Sequence, residues 1–410
     1  MNRPDPAGGT VTALLVVLVA LGPISTDLYL PSLPAMGRAF DADVPTIQLT
    51  LSVYMVAFAL GQLIYGPLSD RFGRRAPLLW GTGLYFAASL LCILAPSIEW
   101  LIAGRLLQGI GGCAGQVIAR AVVRDVHGRA DAGRVLAKIA AAMGIAPAIG
   151  PAIGGMLTDA FGWAACFWAL SMAGGFALLG TALLLRETNH TRANQALGPR
   201  ALAKTFAGLL RHRQFTGFAL AATASYSGLF AWISGSSFVF IEVFGLAPDV
   251  YGYCFASIVV GFMIGAQIAS RLSVGPVRAV AIGATLNLIG GAAMLIAVAG
   301  GFATIATVLA PMILYMVGMG IVLPSAQAGA IGPFPRQAGA ASSLVGTAQY
   351  GLAAFTGLAV GHGFDLSALP MALGVGLSGA AAVIVYLWLI RGAPDPAEEG
   401  PEDLPKEPKV

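Results

Sequence analysis

Charged side chains are scarce in this sequence of 410 residues. Asp, Glu, Lys and Arg make up 10% of it, against about 25% in an ordinary soluble domain. Hydrophobic residues make up 57%, which leaves too little polar surface to keep so long a chain in solution. These proportions exclude a soluble enzyme, a disordered protein and a nucleic-acid-binding protein.

Cysteine and histidine are also rare, with four of each. The cysteines lie apart from one another inside long apolar runs, which favours small core residues over a disulfide framework or a metal site. The histidines lie in polar stretches and share no metal-ligand spacing. The sequence therefore predicts no cofactor and no metal.

Long apolar runs, in contrast, fill most of the chain. A membrane-spanning helix needs about 20 mostly apolar residues. Twelve runs meet this requirement, and they predict an all-α membrane protein with twelve transmembrane helices in two six-helix bundles. The runs are Thr10–Leu33, Pro45–Tyr65, Ala76–Ala95, Ile98–Ala119, Val135–Leu157, Gly162–Leu185, Phe215–Ile241, Val250–Ala269, Pro276–Ala299, Ala303–Pro324, Ala338–Gly361 and Leu366–Ile390.

A polar stretch between the sixth and seventh runs divides the chain into two halves of six spans, the layout of a duplicated six-helix unit. The polar C-terminal tail is predicted to be disordered. The predicted parts are an N-terminal cytoplasmic segment (1–9), a first bundle (10–185), a cytoplasmic linker (186–214), a second bundle (215–391) and a cytoplasmic tail (392–410).

The basic residues predict the orientation. Of the 23 Lys and Arg, all but Arg38 and Arg105 fall on one side of the predicted spans. Cytoplasmic loops carry such an excess, so both termini are predicted to be cytoplasmic. The asymmetry also requires an even number of spans.

Two charges, Asp27 and Arg105, lie well inside apolar runs. An ionisable group there costs about 2.5 to 3.5 kcal/mol on insertion scales, which suggests a shared hydrated cavity. Burial disfavours a charged carboxylate and a nearby arginine favours it, so Asp27 could bind and release protons. Two alternatives remain open: Asp27 faces water at the outer end of its helix, or it forms a structural pair with Arg105.

A polar stripe follows one face of the fourth run. Arg105, Gln108, Gly112 and Gln116 recur at helical spacing, which predicts a cavity lining or a contact between helices. Other polar and aromatic side chains inside runs suit a pocket for amphipathic solutes. The predicted cavity residues are Asp27, Tyr29, Arg105, Gln108, Gln116, Tyr226, Trp232, Tyr315 and Gln349.

Two glycine-containing motifs complete the pattern. The segment Gly66–Arg75 predicts a tight loop between the second and third runs, and its motif residues are Gly66, Asp70, Arg71, Gly73, Arg74 and Arg75. An ordinary loop rich in basic residues is the alternative. In the fifth run, Gly150, Pro151, Gly154 and Gly155 predict close helix packing or a pivot.

These motifs resemble those of the major facilitator superfamily, and within it the twelve-span drug:H⁺ antiporters. The segment Gly66–Arg75 looks like the superfamily signature, Arg105–Gly112 like the motif around an intramembrane arginine, and Gly150–Gly155 like the antiporter motif. Thr26–Pro34 is similar to the motif of the bicyclomycin and chloramphenicol/florfenicol resistance (Bcr/CflA) group.

The resemblance implies a proton-driven exporter of small drug-like molecules in a bacterial inner membrane, acting as a monomer. It implies that Asp27 responds to protons and substrate, that Arg105 takes part in coupling, and that Asp70, Arg71 and Arg74 lock a cytoplasmic gate. The corresponding loop of the second half, Ser270–Arg278, has no acidic residue and departs from the pattern.

Three rivals to export are kept open. A proton-coupled uptake symporter for a small metabolite would have the same fold. A membrane enzyme would need a catalytic pair or metal cluster, which the sequence does not show. A sensor or scaffold would bind ligand without counterflow.

Overall fold

The computed structural model describes residues 8–126, 135, 147–189, 199–334 and 337–392, and the described residues form helices without strands. The predicted all-α membrane fold is confirmed. Four predicted regions lie outside the described residues: the N-terminal segment 1–7, most of the fifth span before residue 147, linker residues 190–198 and the tail from 393.

The chain divides into two compact units. Unit 1 comprises Met1–Ala196 and Leu246–Ala256, and unit 2 comprises Leu197–Gly245 and Ser257–Val410. The described helices up to the linker are α1 (Gly9–Asp27), α2 (Leu33–Phe40), α3 (Val44–Phe72), α4 (Arg75–Ile93), α5 (Ile98–Val126), α6 (147–161) and α7 (Ala164–Leu184).

The described helices from the linker onward are α8 (Pro199–Arg211), α9 (Arg213–Phe238), α10 (Pro248–Arg271), α11 (Pro276–Ala299), α12 (Ile305–Ile331), α13 (Ala338–His362) and α14 (Leu369–Val385). In unit 1, α5 packs on α1, α3 and α4. In unit 2, α9 packs on α12, α13 and α14. The central helix of each unit is thus also among its most buried spans.

Eleven helices in the described part of the chain are long and apolar enough to cross a membrane. They correspond to eleven of the twelve predicted runs, and α6 overlaps the end of the remaining one, Val135–Leu157. Glycines allow the central helix of unit 1 to pack closely. A Cβ on Gly109 would lie 2.5 Å from the carbonyl oxygen of Tyr54, and one on Gly111 would lie 2.5 Å from the backbone nitrogen of Tyr85.

The first span is not one continuous helix. α1 contains Pro23 and ends at Asp27, a short 3-10 turn covers Leu30–Ser32, and α2 then continues to Phe40. The predicted first span, Thr10–Leu33, is therefore broken after Asp27 and extends beyond Leu33 to Phe40. The two prolines at positions 31 and 34 explain the break, because proline cannot donate a helical hydrogen bond.

Two predicted loops contain helix. α3 continues through Gly66 and Pro67 to Phe72, so only Gly73 and Arg74 connect it to α4. The predicted loop from Gly66 is therefore too long by about two turns of helix. The predicted linker 186–214 likewise contains α8, and α9 begins within it at Arg213.

Candidate functional site

Asp27 lies at the break in the first membrane span. Its side chain is buried, with only 4% of the residue exposed. The Thr26 hydroxyl lies 3.0 Å from Oδ1 of Asp27 and 2.7 Å from the carbonyl oxygen of Pro23. Among the described residues, no basic side chain lies within ion-pair distance of this carboxylate. The alternative in which Asp27 faces open water is not what the structure shows.

The glycines of α6 bring that helix against the break. A Cβ on Gly150 would lie 3.3 Å from Cβ of Asp27, and one on Gly154 would lie 1.7 Å from the carbonyl oxygen of Leu28. Only glycine permits this approach. The next glycine, Gly155, contacts the backbone at Pro248, which also belongs to unit 1. The predicted close packing of this motif is therefore observed.

Arg105 is fully buried between two aromatic rings. Its Cζ lies 4.3 Å from the ring centroid of Tyr29 and 4.3 Å from that of Tyr54. Nε donates to the carbonyl oxygen of Thr50 at 3.3 Å, and Nη1 donates to Oε1 of Gln108. Nη2 is buried and has no hydrogen-bond partner among the residues that the structure describes. Two aromatic faces and two neutral oxygens therefore stabilise this cation.

The two tyrosines connect Arg105 with the segment that carries Asp27. The Tyr54 hydroxyl donates to the carbonyl oxygen of Gly22 in α1, at 3.2 Å. Tyr29 lies two residues after Asp27, in the turn that follows α1. The Asp27–Arg105 ion pair, one of the alternatives read from the sequence, is absent among the described contacts. Arg105 is instead linked to the segment around Asp27 through the side chains of Tyr29 and Tyr54.

The rest of the α5 stripe is also buried. Gln108 accepts from Arg105 and donates from Nε2 to the Ser89 hydroxyl in α4, at 2.8 Å. Gln116 is 6% exposed, and no described residue forms a hydrogen bond with its Oε1. The Arg105–Gln108 end of the stripe thus contacts neighbouring helices, which was one of the two predictions made from the sequence.

In unit 2, the predicted cavity residues fall into two groups. Trp232 and Gln349 are buried, and within the described part of the chain Nε1 of the first and Nε2 of the second have no hydrogen-bond partner. Tyr226 packs edge-on against Tyr350, with ring centroids 5.7 Å apart. The first two side chains thus bury a polar donor, and Tyr226 contributes an aromatic ring.

Tyr315 belongs to a separate hydrogen-bonded network. Its hydroxyl donates to the carbonyl oxygen of Ser225 at 2.9 Å, and its own carbonyl accepts from Nδ2 of Asn287 at 2.7 Å. Oγ of Ser225 donates to Oδ1 of Asn287 at 3.0 Å. This closed network ties α9, α11 and α12 together. Sequence reasoning missed Asn287, although an amide inside an apolar run was the available signal.

Arg74 is the centre of a charge cluster in the motif Gly66–Arg75. Its Nε donates to Oδ2 of Asp125 in α5 at 2.7 Å, and its Nη1 forms an ion pair with Asp70. Gly73 has φ +91°, a backbone conformation that favours glycine. A side chain at this position would also displace the Glu187 carboxylate.

Glu187 caps the start of α4. Its Oε1 accepts from the backbone N–H of Arg74 at 2.7 Å, and its Oε2 accepts from that of Arg75 at 3.2 Å. The backbone N–H groups of Thr188 and Asn189 also donate to Oε1. Partial burial opposes ionisation, but these four donors outweigh it and lower the pKa of Glu187.

The other two arginines of the motif differ in their partners. Arg75 donates to the carbonyl oxygens of Leu185 and Ala182, at 3.0 and 2.9 Å, and so ties α4 to the end of α7. Arg71 instead lies over the ring of Phe72, 5.3 Å from its centroid. Each arginine of the motif therefore has its own role in the structure.

Sequence reasoning missed Asp125 and Glu187. Both lie next to basic residues, Arg124 and Arg186, at the ends of apolar runs, so they resembled ordinary polar termini. The only sign of them in the sequence was that the arginines of Gly66–Arg75 need acidic partners. In the structure these partners lie near the end of α5 and just after the end of α7.

Comparison with known proteins places this architecture in a family. Residues 15–358 match the model of the Major Facilitator Superfamily. An uncharacterized MFS-type transporter, YdgK, from Bacillus subtilis is 32% identical over 361 residues, which cover 87% of this chain and 90% of that protein.

Two further relatives carry resistance names. The bicyclomycin resistance protein homolog of Haemophilus influenzae is 29% identical, over 92% of this chain and 94% of the relative. Multidrug resistance protein D of Escherichia coli is 28% identical, over 82% and 84%.

Solved structures share the fold at lower identity. A D-xylose–proton symporter has a TM-score of 0.75 at 15% identity, covering 94% of this chain and 98% of the other. The human organic anion transporter MFSD10 has a TM-score of 0.69 at 20% identity, covering 94% and 100%. The family match covers most of the chain, so this protein belongs to the major facilitator superfamily and is a multi-pass membrane transporter rather than an enzyme.

Proposed function

We propose that this chain exports small amphipathic drugs, of bicyclomycin or chloramphenicol/florfenicol type, in exchange for protons. It works by alternating access across a bacterial inner membrane, as a monomer with both termini cytoplasmic. Protons are the coupling ion, and no further cofactor is needed. The resistance names of two relatives support the substrate class.

The observation that carries the proposal is the buried carboxylate of Asp27 at a helix break, with a hydroxyl as its recorded partner. A charged carboxylate is costly at such a site, by about 2.5 to 3.5 kcal/mol on insertion scales. Protonation removes that cost. The deprotonated form admits substrate, and the protonated form disfavours it, so the two ligands alternate.

Arg105 supports coupling through its neighbours. Its guanidinium lies over the ring of Tyr29, two residues from Asp27, and over the ring of Tyr54. The Tyr54 hydroxyl in turn donates to a carbonyl oxygen of α1, the helix that ends at Asp27. A movement of the turn after Asp27 therefore changes the surroundings of the Arg105 cation. One proton moving down a potential of 100 mV supplies about 2.3 kcal/mol, which supports concentrative export.

Unpartnered polar atoms support the substrate contacts. Among the described residues, each unit has two predicted cavity residues that bury an atom without a hydrogen-bond partner: Arg105 and Gln116 in unit 1, and Trp232 and Gln349 in unit 2. A buried polar group without a partner costs about 1–3 kcal/mol. Within each unit, a drug with carbonyl, hydroxyl or amide groups would satisfy such atoms.

The cluster of Asp70, Arg74, Asp125 and Glu187 supports the gating role. It joins the α3–α4 turn to the ends of α5 and α7 by charged hydrogen bonds. In this proposal the cluster holds the gate in one state of the transport cycle. The excess of basic residues on this side of the spans supports a cytoplasmic position for the cluster.

The test uses purified protein in proteoliposomes with an acidic interior and radiolabelled chloramphenicol, florfenicol or bicyclomycin outside. In those transporters whose predicted cytoplasmic face points out of the proteoliposome, antiport moves drug into the interior as protons leave it. In Asp27→Asn, we expect gradient-driven accumulation to fall at least about tenfold, a loss of about 1.4 kcal/mol of coupling. Asp159→Asn, at an exposed carboxylate in α6, should accumulate drug like the wild type.

Accumulation that persists in Asp27→Asn would refute the role of this carboxylate. Preloaded substrate that leaves with protons would identify a symporter. Binding without counterflow would identify a sensor. Size-exclusion chromatography of each variant establishes that a lost signal reflects transport and not misfolding.

A further inference from the structure

An apolar groove runs along the outer surface of unit 1. It has a volume of about 580 Å³, and its lining includes Val56, Leu60 and Phe72 from α3, Trp80 from α4 and Leu106 from α5. The groove exists because α3 and α4 each pack extensively on α5 but little on each other. The groove therefore lies over α5, with α3 on one side and α4 on the other.

The groove is long enough to cross one leaflet of a bilayer. Val56 and Phe72 are sixteen residues apart on α3, which corresponds to about 24 Å of helix. Half of the hydrocarbon core is about 15 Å thick. Trp80 and Phe72 are 80% and 52% exposed, so the rim is apolar and open to the lipid. An acyl chain of the surrounding leaflet fits this space.

A cation lies at the mouth of the groove. Arg71 is exposed, and its guanidinium lies over Phe72, which lines the groove. Asp70 pairs with Arg74, and among the residues described no carboxylate lies within ion-pair distance of Arg71. The charge at the mouth is therefore positive and available, while the groove itself is apolar.

We propose that this groove binds an anionic glycerophospholipid of the bilayer, with its phosphate on Arg71 and one acyl chain between α3 and α4. Basic sites at the ends of membrane helices recognise such headgroups. The bound lipid lies beside the Asp70–Arg74 pair and stabilises the end of α3. The inference depends on membrane insertion but not on the direction of transport or on the transported substrate.

The test is native mass spectrometry of the full chain released from nanodiscs that contain equal amounts of phosphatidylglycerol and phosphatidylcholine. We expect the wild type to retain phosphatidylglycerol selectively. Arg71→Gln should lower its retention about fivefold, the effect expected for removing one arginine charge near the membrane surface. Arg278→Gln, at an exposed arginine of unit 2, should retain it like the wild type.

A second variant tests the groove itself. Leu60→Trp adds bulk at an exposed lining position and should reduce retention without altering the headgroup site. Equal retention of the two lipids by the wild type would overturn the proposal. Loss of phosphatidylglycerol in Arg71→Gln together with full retention in Leu60→Trp would also overturn it. Displacement of the lipid by a transported drug or by a second copy of the chain would overturn it as well.

Discussion

Gly154 of α6 packs directly against the carbonyl oxygen of Leu28, which follows the end of α1. A Cβ at position 154 would lie 1.7 Å from that oxygen, closer than any real contact. The obstructing atom belongs to the backbone, so no side-chain rotation can relieve the clash. The glycine thus sets the distance between α6 and the broken first span.

Gly154→Ala should therefore destabilise unit 1. Overpacking in a close-packed region typically costs about 1–3 kcal/mol. We expect a lower midpoint of thermal unfolding in detergent, followed by tryptophan fluorescence. Gly351→Ala in α13, where no atom lies within 4 Å of the added Cβ, serves as the control. An unchanged midpoint in Gly154→Ala would contradict the packing described for α6.

Substitutions at Tyr54 separate its ring from its hydroxyl. Tyr54→Phe keeps the ring against Arg105 and loses the hydrogen bond to Gly22, which should cost about 0.5–1.5 kcal/mol. Tyr54→Leu also removes the aromatic face, worth about 2 kcal/mol when desolvated. We expect the second variant to lose more stability and more gradient-driven transport.

The comparison is made in a double-mutant cycle with Arg105→Gln. The effects of Tyr54→Leu and Arg105→Gln should be clearly less than additive, since they remove one interaction. Additive effects on the unfolding midpoint would mean that the ring does not stabilise the cation.

The two acidic partners of Arg74 should differ in importance. The side chain of Asp125 is 22% exposed and that of Asp70 is 53% exposed. Asp125→Asn should cost about 1.5–3 kcal/mol, as for a hydrogen bond to a charged group, because the pair is shielded from water. Asp70→Asn should cost about 0.2–1 kcal/mol, as for an exposed ion pair.

Chemical unfolding of both variants at low and high salt distinguishes the two environments. Salt should weaken the contribution of Asp70 more than that of Asp125. An equal or reversed order of the two losses would show that Arg74 does not depend mainly on α5.

Glu187 should make stability dependent on pH under acidic conditions. The pKa of its carboxyl is lowered in the folded protein, so its contribution is fully present above the unfolded-state pKa. That contribution is lost as the pH falls through the lowered folded-state pKa. Glu187→Gln should be less stable at neutral pH and should lose less stability on acidification than the wild type.

Thermal unfolding measured from neutral to acidic pH tests this prediction. Glu242→Gln, at an exposed carboxylate, should follow the wild-type curve. Parallel curves for the wild type and Glu187→Gln would show that the four backbone donors do not favour the ionised form.

Much of the fold could be predicted because a membrane helix is recognisable in the sequence as a long, mostly apolar run. Eleven described spans correspond to predicted runs, and Asp27 and Arg105 stood out as charges within such runs. The break after Asp27 was harder to predict, since Leu28–Leu30 are apolar and match a continuing helix. Pro31 and Pro34 supplied the only local sign of it.

Contacts between distant segments could not be read from the sequence. Glu187 caps α4 more than a hundred residues before it, and Asp125 reaches Arg74 from another helix. The sandwich of Arg105 depends on Tyr29 and Tyr54 meeting from two different spans. Such partners are determined by tertiary packing, which residue type and spacing in the sequence do little to predict.

Only Leu28 separates Asp27, the last residue of α1, from Tyr29 in the turn that follows. A rotation of the Leu28 backbone would therefore turn the Tyr29 ring relative to the Asp27 carboxyl group. In the proposed transport cycle, hydration of the acid and the aromatic cover over Arg105 would then change in the same step. A single peptide hinge would thus link proton binding to the packing of the neighbouring helices.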